Sequence, residues 1–230
     1  VSAGKEQGKK AVVILSGGLD STTCMGIAKD RGYELYPLTF DYGQRHSVEV
    51  AHARRVAAFY HATVHQVVKM DFLRQIGGSA LTDDNVEVPT TGVGEDIPVT
   101  YVPGRNLLFL SMAGSYAEVI GANAIFIGVN ALDYSGYPDC RPEFIAAVQE
   151  AIRVGTKAGV DGHPITIEAP LMHWTKAEII REGMRLGVPY ELTTSCYQGG
   201  EEACGKCDSC RLRLKGFAEA GYTDPIPYRK

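Results

Sequence analysis

A chain of 230 residues, 45% of them hydrophobic, can bury a sizeable core and fits one α/β domain with a small appendage. Its 23 Lys and Arg against 27 Asp and Glu give a net charge of −4, which leaves no broad basic surface and disfavours a large nucleic acid as substrate. No apolar stretch approaches the ~18 residues of a membrane span and the start has no signal-peptide core, so a cytoplasmic protein is expected.

In chain order, residues 1–10 are polar and read as a flexible leader. Strands are expected at Val12–Leu15, Leu35–Phe40, Thr63–Val68, Ala124–Gly128 and Ile165–Glu168. Helices are expected near Thr22–Arg31, Val48–Tyr60, Leu107–Ile120, Glu143–Val154 and Lys176–Leu186. Such alternation implies an α/β fold with a Rossmann-like parallel sheet, helices on both faces, and ligands outside the carboxyl ends of the strands. The main domain is expected over 11–188. Beyond Gly187-Val188-Pro189 the pattern changes to a cysteine-bearing tail, 189–230, packed on the same domain.

The loops that follow strands are the unusual ones. The first strand runs into Ser16-Gly17-Gly18-Leu19-Asp20-Ser21 and then a helix, an arrangement that presents backbone N–H groups to an anion at the helix's positive end. Gly17 and Gly18 let the backbone come close to such an anion, and Asp20 or Ser21 offers a helix N-cap. The loop is neither a Walker A motif nor a dinucleotide fingerprint. After the second strand comes Gly43-Gln44-Arg45-His46. A long Gly-rich connection containing Thr90–Glu95 reads as a lid or binding loop, with plain disorder as the alternative, and ends in Val102-Pro103-Gly104-Arg105-Asn106. The stretch after the fourth strand holds Pro138-Asp139-Cys140-Arg141. Cys24 reads as a small buried residue; Cys140 could line the substrate site, but no His neighbours it in sequence and a passive role is the expectation.

Cys196, Cys204, Cys207 and Cys210 crowd four sulfurs into fifteen positions. A disulfide reading is weak without a secretion signal, whereas tetrahedral zinc accepts four thiolates, with Gly199-Gly200 and Gly205 supplying the bends. An iron–sulfur cluster and unliganded thiols are the alternatives; the run lacks the Cys-Pro ending of bacterial ferredoxins. One structural zinc per chain is the expectation, since four sulfurs leave no position open for catalysis.

The loop at Ser16–Ser21 resembles that of the ATP pyrophosphatases of the PP-loop superfamily, which cleave ATP between its α and β phosphates and adenylate an oxygen. Together with the Gly-Gln-Arg-His loop, Val-Pro-Gly-Arg-Asn, Ser-Gly-Tyr-Pro-Asp-Cys-Arg and the four-cysteine tail, it makes the chain resemble the QueC family from Ala11 to about Tyr222. That resemblance implies conversion of 7-carboxy-7-deazaguanine, ammonia and ATP to 7-cyano-7-deazaguanine, AMP and pyrophosphate, in the making of queuosine-type tRNA bases. It further implies that Leu15, Ser16, Gly17, Gly18, Leu19, Asp20, Ser21, Thr22, Thr23, Cys24 and Met25 surround the ATP phosphates. In that span Ser16, Gly17, Gly18 and Ser21 are donors and Asp20 sits near Mg2+.

Pro170-Leu171 followed by Lys176 resembles the superfamily's second motif, in which a lysine neutralises the departing pyrophosphate. A solvent-facing helix lysine is the plainer alternative. Thr175–Glu178 reads as a capping box. Arg105, Asp139 and Arg141 are candidates for gripping the purine-like substrate, with internal ion pairs as the alternative, and His46 for touching a phosphate or moving a proton. The expected partners are these small molecules, with no direct nucleic acid, no membrane, and a homodimer open as the assembly. The rival readings are an ATP-dependent tRNA-modifying enzyme of thiolase type and a non-catalytic nucleotide sensor with a zinc tail.

Overall fold

Strand β1 (Lys10–Ile14) sends Val12 and Ile14 to one side of a sheet and Ala11 and Val13 to the other, and all four are buried. A strand apolar on both faces must be covered on both. In the computed structural model, which describes residues 8–43, 48–83, 85–86, 97–132 and 136–229, β1 is the central strand of five. The others are β2 (Glu34–Asp41), β3 (Gln66–Lys69), β4 (Ala124–Phe126) and β5 (Thr166–Glu168), in the spatial order β3-β2-β1-β4-β5. Every pairing is parallel; Val12 lies opposite Tyr36 on β2 and Ile125 on β4.

The helices are α1 (Leu19–Asp30), α2 (Val48–Phe59), α3 (Asp71–Ile76), α4 (Arg105–Ile120), α5 (Pro142–Gly155), α6 (Lys157–Val160), α7 (Lys176–Arg185) and α8 (Asp208–Ala220). One face of the sheet is covered by α4 and α5 through Phe109, Leu110, Ala113, Val148 and Ile152. The other is covered by α1, α2 and α7 through Met25, Ile27, Val56, Ile179 and Ile180. Tyr190 and Phe217 of the tail enter this second core, so the tail continues the packing of the main domain. Since the chain places β2 and β3 on one side of β1 and then β4 on the other, the crevice for a ligand opens at the carboxyl ends of β1 and β4.

The expected strands and long helices are present, with shifted ends. Lys10, assigned to the leader, belongs to β1: its N–H donates to Asn123 Oδ1 at 3.0 Å and its Nζ to the Ile120 carbonyl at 3.1 Å. Helix α1 begins three residues earlier than expected, at Leu19. The short α3 and α6 carry too few turns to show a period, and α8 lies where only a metal-binding tail was expected. His46 and the Thr90–Glu95 stretch lie outside the described residues. Among the described residues, no helix is long and apolar enough to cross a membrane.

Candidate active site and metal centre

The Ser16–Ser21 loop joins β1 to α1 at the crevice, and it is tied together by its own hydroxyls. Ser16 Oγ and Ser21 Oγ lie 3.0 Å apart, the Gly18 N–H donates to Ser16 Oγ at 3.2 Å, and Thr22 Oγ1 donates to the Gly18 carbonyl at 2.7 Å. The N-cap of α1 is Gly18, with no side-chain cap, and not Asp20 or Ser21. Those two residues fall inside the helix because it starts at Leu19, and the first turn of α1, whose amides have no acceptor within the helix, lines the cleft. Gly17 has φ +82°, and a Cβ on it would stand 2.6 Å from both Ala53 N and the Glu49 carbonyl of α2. Its glycine therefore serves the seating of α2 beneath the loop. Gly128, just beyond β4, is required in the same way: a Cβ there would press on the Asp20–Ser21 peptide at 3.0 Å.

The cleft at this crevice has a volume of about 260 Å³. Leu15, Ser16, Gly18, Leu19, Asp20 and Ser21 line it, whereas Thr22, Thr23, Cys24 and Met25 are buried within α1. The eleven-residue span is thus divided by the helix, whose second turn faces the core: Thr23 Oγ1 donates to the Leu19 carbonyl and meets Tyr190 Oη at 2.8 Å. Burial first, and then the nearby Asp20 charge, pushes the Cys24 thiol far up and leaves it inert.

Lys176 is the first residue of α7, which begins with the expected capping box of Thr175 and Glu178. Its ammonium reaches across to α1 and donates to both Asp20 oxygens, at 2.8 and 2.9 Å. The lysine side chain is only 10% exposed, which removes the solvent-facing alternative. Arg105 enters from the opposite wall, at the first position of α4 behind Gly104 in a left-handed conformation. Desolvation opposes its charge, but Tyr42, Asp139 and Cys140 outweigh that and hold it firmly as a guanidinium.

Asp139 and Arg141 are not among the described residues that line the cleft. Asp139 is buried and accepts the Asn106 N–H at 3.1 Å, so its carboxylate braces the start of α4. Arg141 is exposed at the N-cap of α5. Cys140 does line the cleft; burial first, then Asp139, pushes its thiol up to about 12. Phe40 stacks on Phe109 with centroids 4.0 Å apart, and Tyr42 leans on the same ring, giving this wall a flat aromatic surface.

In the tail, the sulfurs of Cys196, Cys204, Cys207 and Cys210 all lie within 4.8 Å of one another and are buried. Four thiolates ~2.3 Å from one zinc stand roughly 3.8 Å apart, and Cys204 and Cys210 are already 3.9 Å apart. Backbone N–H groups of Lys206 and Cys207 donate to Cys204 Sγ, and that of Cys204 to Cys196 Sγ, as buried thiolates require. Hydrogen bonds from Cys207 and Cys210 hold the Cys196 thiol far below its usual range. Gly199, Gly200 and Gly205 all have positive φ, as the bends demand. The donor set and spacing fit a bound zinc.

Sequence reading missed the frame around this centre. Arg213 on α8 is 2% exposed, forms a two-point pair with Asp224 at 2.7 and 2.9 Å, and donates to Thr193 Oγ1 at 2.7 Å. Asp224 also accepts from Tyr228 Oη at 2.6 Å. The Thr194 N–H donates to the Gly17 carbonyl at 3.0 Å, joining the tail directly to the Ser16–Ser21 loop.

The described residues thus bring together a glycine-rich loop at the switch point of a parallel α/β sheet, a lysine–aspartate pair beside it and a four-sulfur tail. The fold is similar to that of a 4-thiouridine synthetase solved as an RNA complex with bound ATP, at TM-score 0.52 and 19% identity, over 93% of this chain and 50% of that one. Residues 10–221 match the family described as Queuosine biosynthesis protein QueC. The chain is 64% identical over 221 residues to the 7-cyano-7-deazaguanine synthase of Oceanobacillus iheyensis, covering 96% of this chain and 99% of that one. It is 60% identical over 222 residues to that of Saccharophagus degradans, covering 96% and 98%. The chain belongs to the QueC family.

Proposed function

We propose that the cleft holds ATP with its phosphates on the Ser16–Ser21 loop and the acid substrate with its carboxylate at Arg105, so that both reacting groups share one cavity. The function that goes with the family is 7-cyano-7-deazaguanine synthesis in queuosine biosynthesis, and its substrates are ATP, ammonia and 7-carboxy-7-deazaguanine. A carboxylate is a poor electrophile because oxide would have to leave. Adenylation gives it AMP as leaving group and releases pyrophosphate. Ammonia then displaces AMP to give the amide, a second adenylation activates the amide oxygen, and loss of AMP and a proton leaves the nitrile.

Arg105 is the observation that carries this reading. A guanidinium that lines the cleft at the N-terminus of α4, beside the buried Asp139 carboxylate that takes the Asn106 N–H, offers a fork able to grip a substrate carboxylate. The aromatic wall of Phe109 and Tyr42 beside it suits a flat heterocycle. Across the cleft, the first-turn amides of α1 take phosphate oxygens and Lys176 neutralises the departing pyrophosphate. Asp20 is the hard oxygen donor for the Mg2+ that accompanies ATP. One zinc per chain, held by the four cysteines, is structural, because sulfur fills every tetrahedral position.

The test is mass spectrometry of the products that purified protein forms from ATP, ammonium and 7-carboxy-7-deazaguanine. The nitrile, AMP and pyrophosphate are expected; ADP, or AMP without nitrile, contradicts the reading. Asp20→Asn is expected to keep the fold and lower turnover by ~100-fold or more, and full activity in that variant removes Asp20 from the chemistry.

A further inference from the structure

Glycine is, after proline, the poorest residue for a helix interior, yet Gly216 sits in the middle of α8. It shares the buried face of that helix with Cys210, Arg213 and Phe217. A Cβ on Gly216 would stand 2.3 Å from Cγ and 2.9 Å from Cβ of Lys176, and 3.0 Å from Cδ1 of Ile180. Cβ is fixed to the capped first turn of α7, and Cγ can give way only by a change of χ1 that redirects the whole lysine stem. With Cβ absent, the lysine stem crosses α8 and its ammonium arrives between both oxygens of Asp20. The helix that supplies this slot starts on two of the four clustered sulfurs, with Cys207 as its N-cap and Cys210 in its first turn.

We propose that Gly216 is a positioning residue for Lys176: it is glycine so that α8 can carry the lysine stem past it and aim the ammonium at the phosphate end of the cleft. The tail thereby sets the geometry of the ATP site. This rests on reading Lys176 as the group that meets the departing pyrophosphate.

The experiment is a double-mutant cycle of Gly216→Ala and Lys176→Ala, read as the rate of AMP formation from ATP, ammonium and 7-carboxy-7-deazaguanine, with zinc content and melting temperature measured on all four proteins. Gly216→Ala is expected to lower kcat on the order of 100-fold at full zinc content, since a displacement of about 1 Å in a catalytic group has that cost. In the Lys176→Ala background the closest clash, with Cγ, is gone and only the approaches to the remaining Cβ and to Ile180 persist, so the same substitution is expected to lower kcat by no more than about twofold further. Should Gly216→Ala alone not fold, the double variant is expected to recover a folded, zinc-loaded protein. Gly216→Ala within twofold of the wild type while Lys176→Ala is crippled overturns the inference and leaves the function standing. A loss from Gly216→Ala that multiplies onto Lys176→Ala, or equal destabilisation in both backgrounds, shows a merely structural glycine and also overturns it. Full activity of Lys176→Ala overturns the role of the lysine itself, and the inference with it.

Discussion

The Ser16–Ser21 loop and the cysteine tail are both glycine-rich turns that lead into a helix, but they hold their shape by different means. The loop hangs from β1, a strand buried on both faces, and is closed by the Ser16–Ser21 hydroxyl pair and by α2 beneath Gly17. Among its described residues the tail has no strand, only an isolated bridge between Ala203 and Tyr228. Tyr190 and Phe217 anchor part of it in the core of the main domain, but the cluster around the sulfurs is Cys196, Ala203, Cys204, Cys207, Cys210 and Ile226, two-thirds cysteine, so little apolar surface remains at that end once the sulfurs are set aside. Topology suffices for the first region, whereas the sulfur-bearing end of the second depends on a few strong contacts, namely the cluster of four cysteines, whose spacing fits a zinc, and the Arg213–Asp224 pair. The two regions meet where Thr194 donates to Gly17 and where α8 carries Lys176.

Breaking the tail should therefore give the largest effect. Cys207→Ser is expected to lose the metal and unfold residues 193–229, with activity falling to background, because zinc binding supplies much of the folding free energy of such a segment. Elemental analysis checks this. Iron with visible absorption after anaerobic preparation, or zinc retained at full stoichiometry, contradicts it. Asp224→Asn comes next: leaving the buried Arg213 without its charge partner is expected to cost about 3–5 kcal/mol, read as a drop in denaturation midpoint. A change no larger than that of an exposed pair such as Arg153–Glu150 contradicts the account.

The smallest effect separates the tail thiols from those of the main domain. With its thiol pushed up to about 12, Cys140 exposes only about a thousandth of the thiolate that an ordinary thiol shows at pH 8, so iodoacetamide should label it about a thousandfold more slowly. Labelling should rise only as pH climbs toward 12. Rapid labelling of Cys140 at pH 8, mapped by mass spectrometry, contradicts its burial.

What the sequence made legible was local. A strand run, six loop residues and a helix are contiguous, and four cysteines in fifteen positions announce a metal without any knowledge of the fold. What it hid depends on contacts between distant positions. Arg105 and Arg141 look equivalent on paper, and only the turn at Gly104 and the packing of α4 bring one to the cleft while the other stays at the surface. Asp139 reads as a binding carboxylate, yet its partner is the Asn106 amide, 33 positions away. Arg213 resembles a solvated helix residue until Asp224 folds back over it, and Gly216 and Gly128 look like weak points in regular elements until Lys176 and the Asp20 peptide pass against them. Helix α8 was hidden because the metal-ligand spacing dominated the reading of its first turn.

The central claim is that one cleft activates both the acid and the amide. It is tested most directly by counting AMP against nitrile for each substrate in turn. From 7-carboxy-7-deazaguanine with ammonium, two AMP per nitrile are expected. From the corresponding amide, one AMP per nitrile is expected, with no need for ammonium. One AMP per nitrile from the acid, ADP in either reaction, or an amide that stays unconverted while the acid reacts would contradict it.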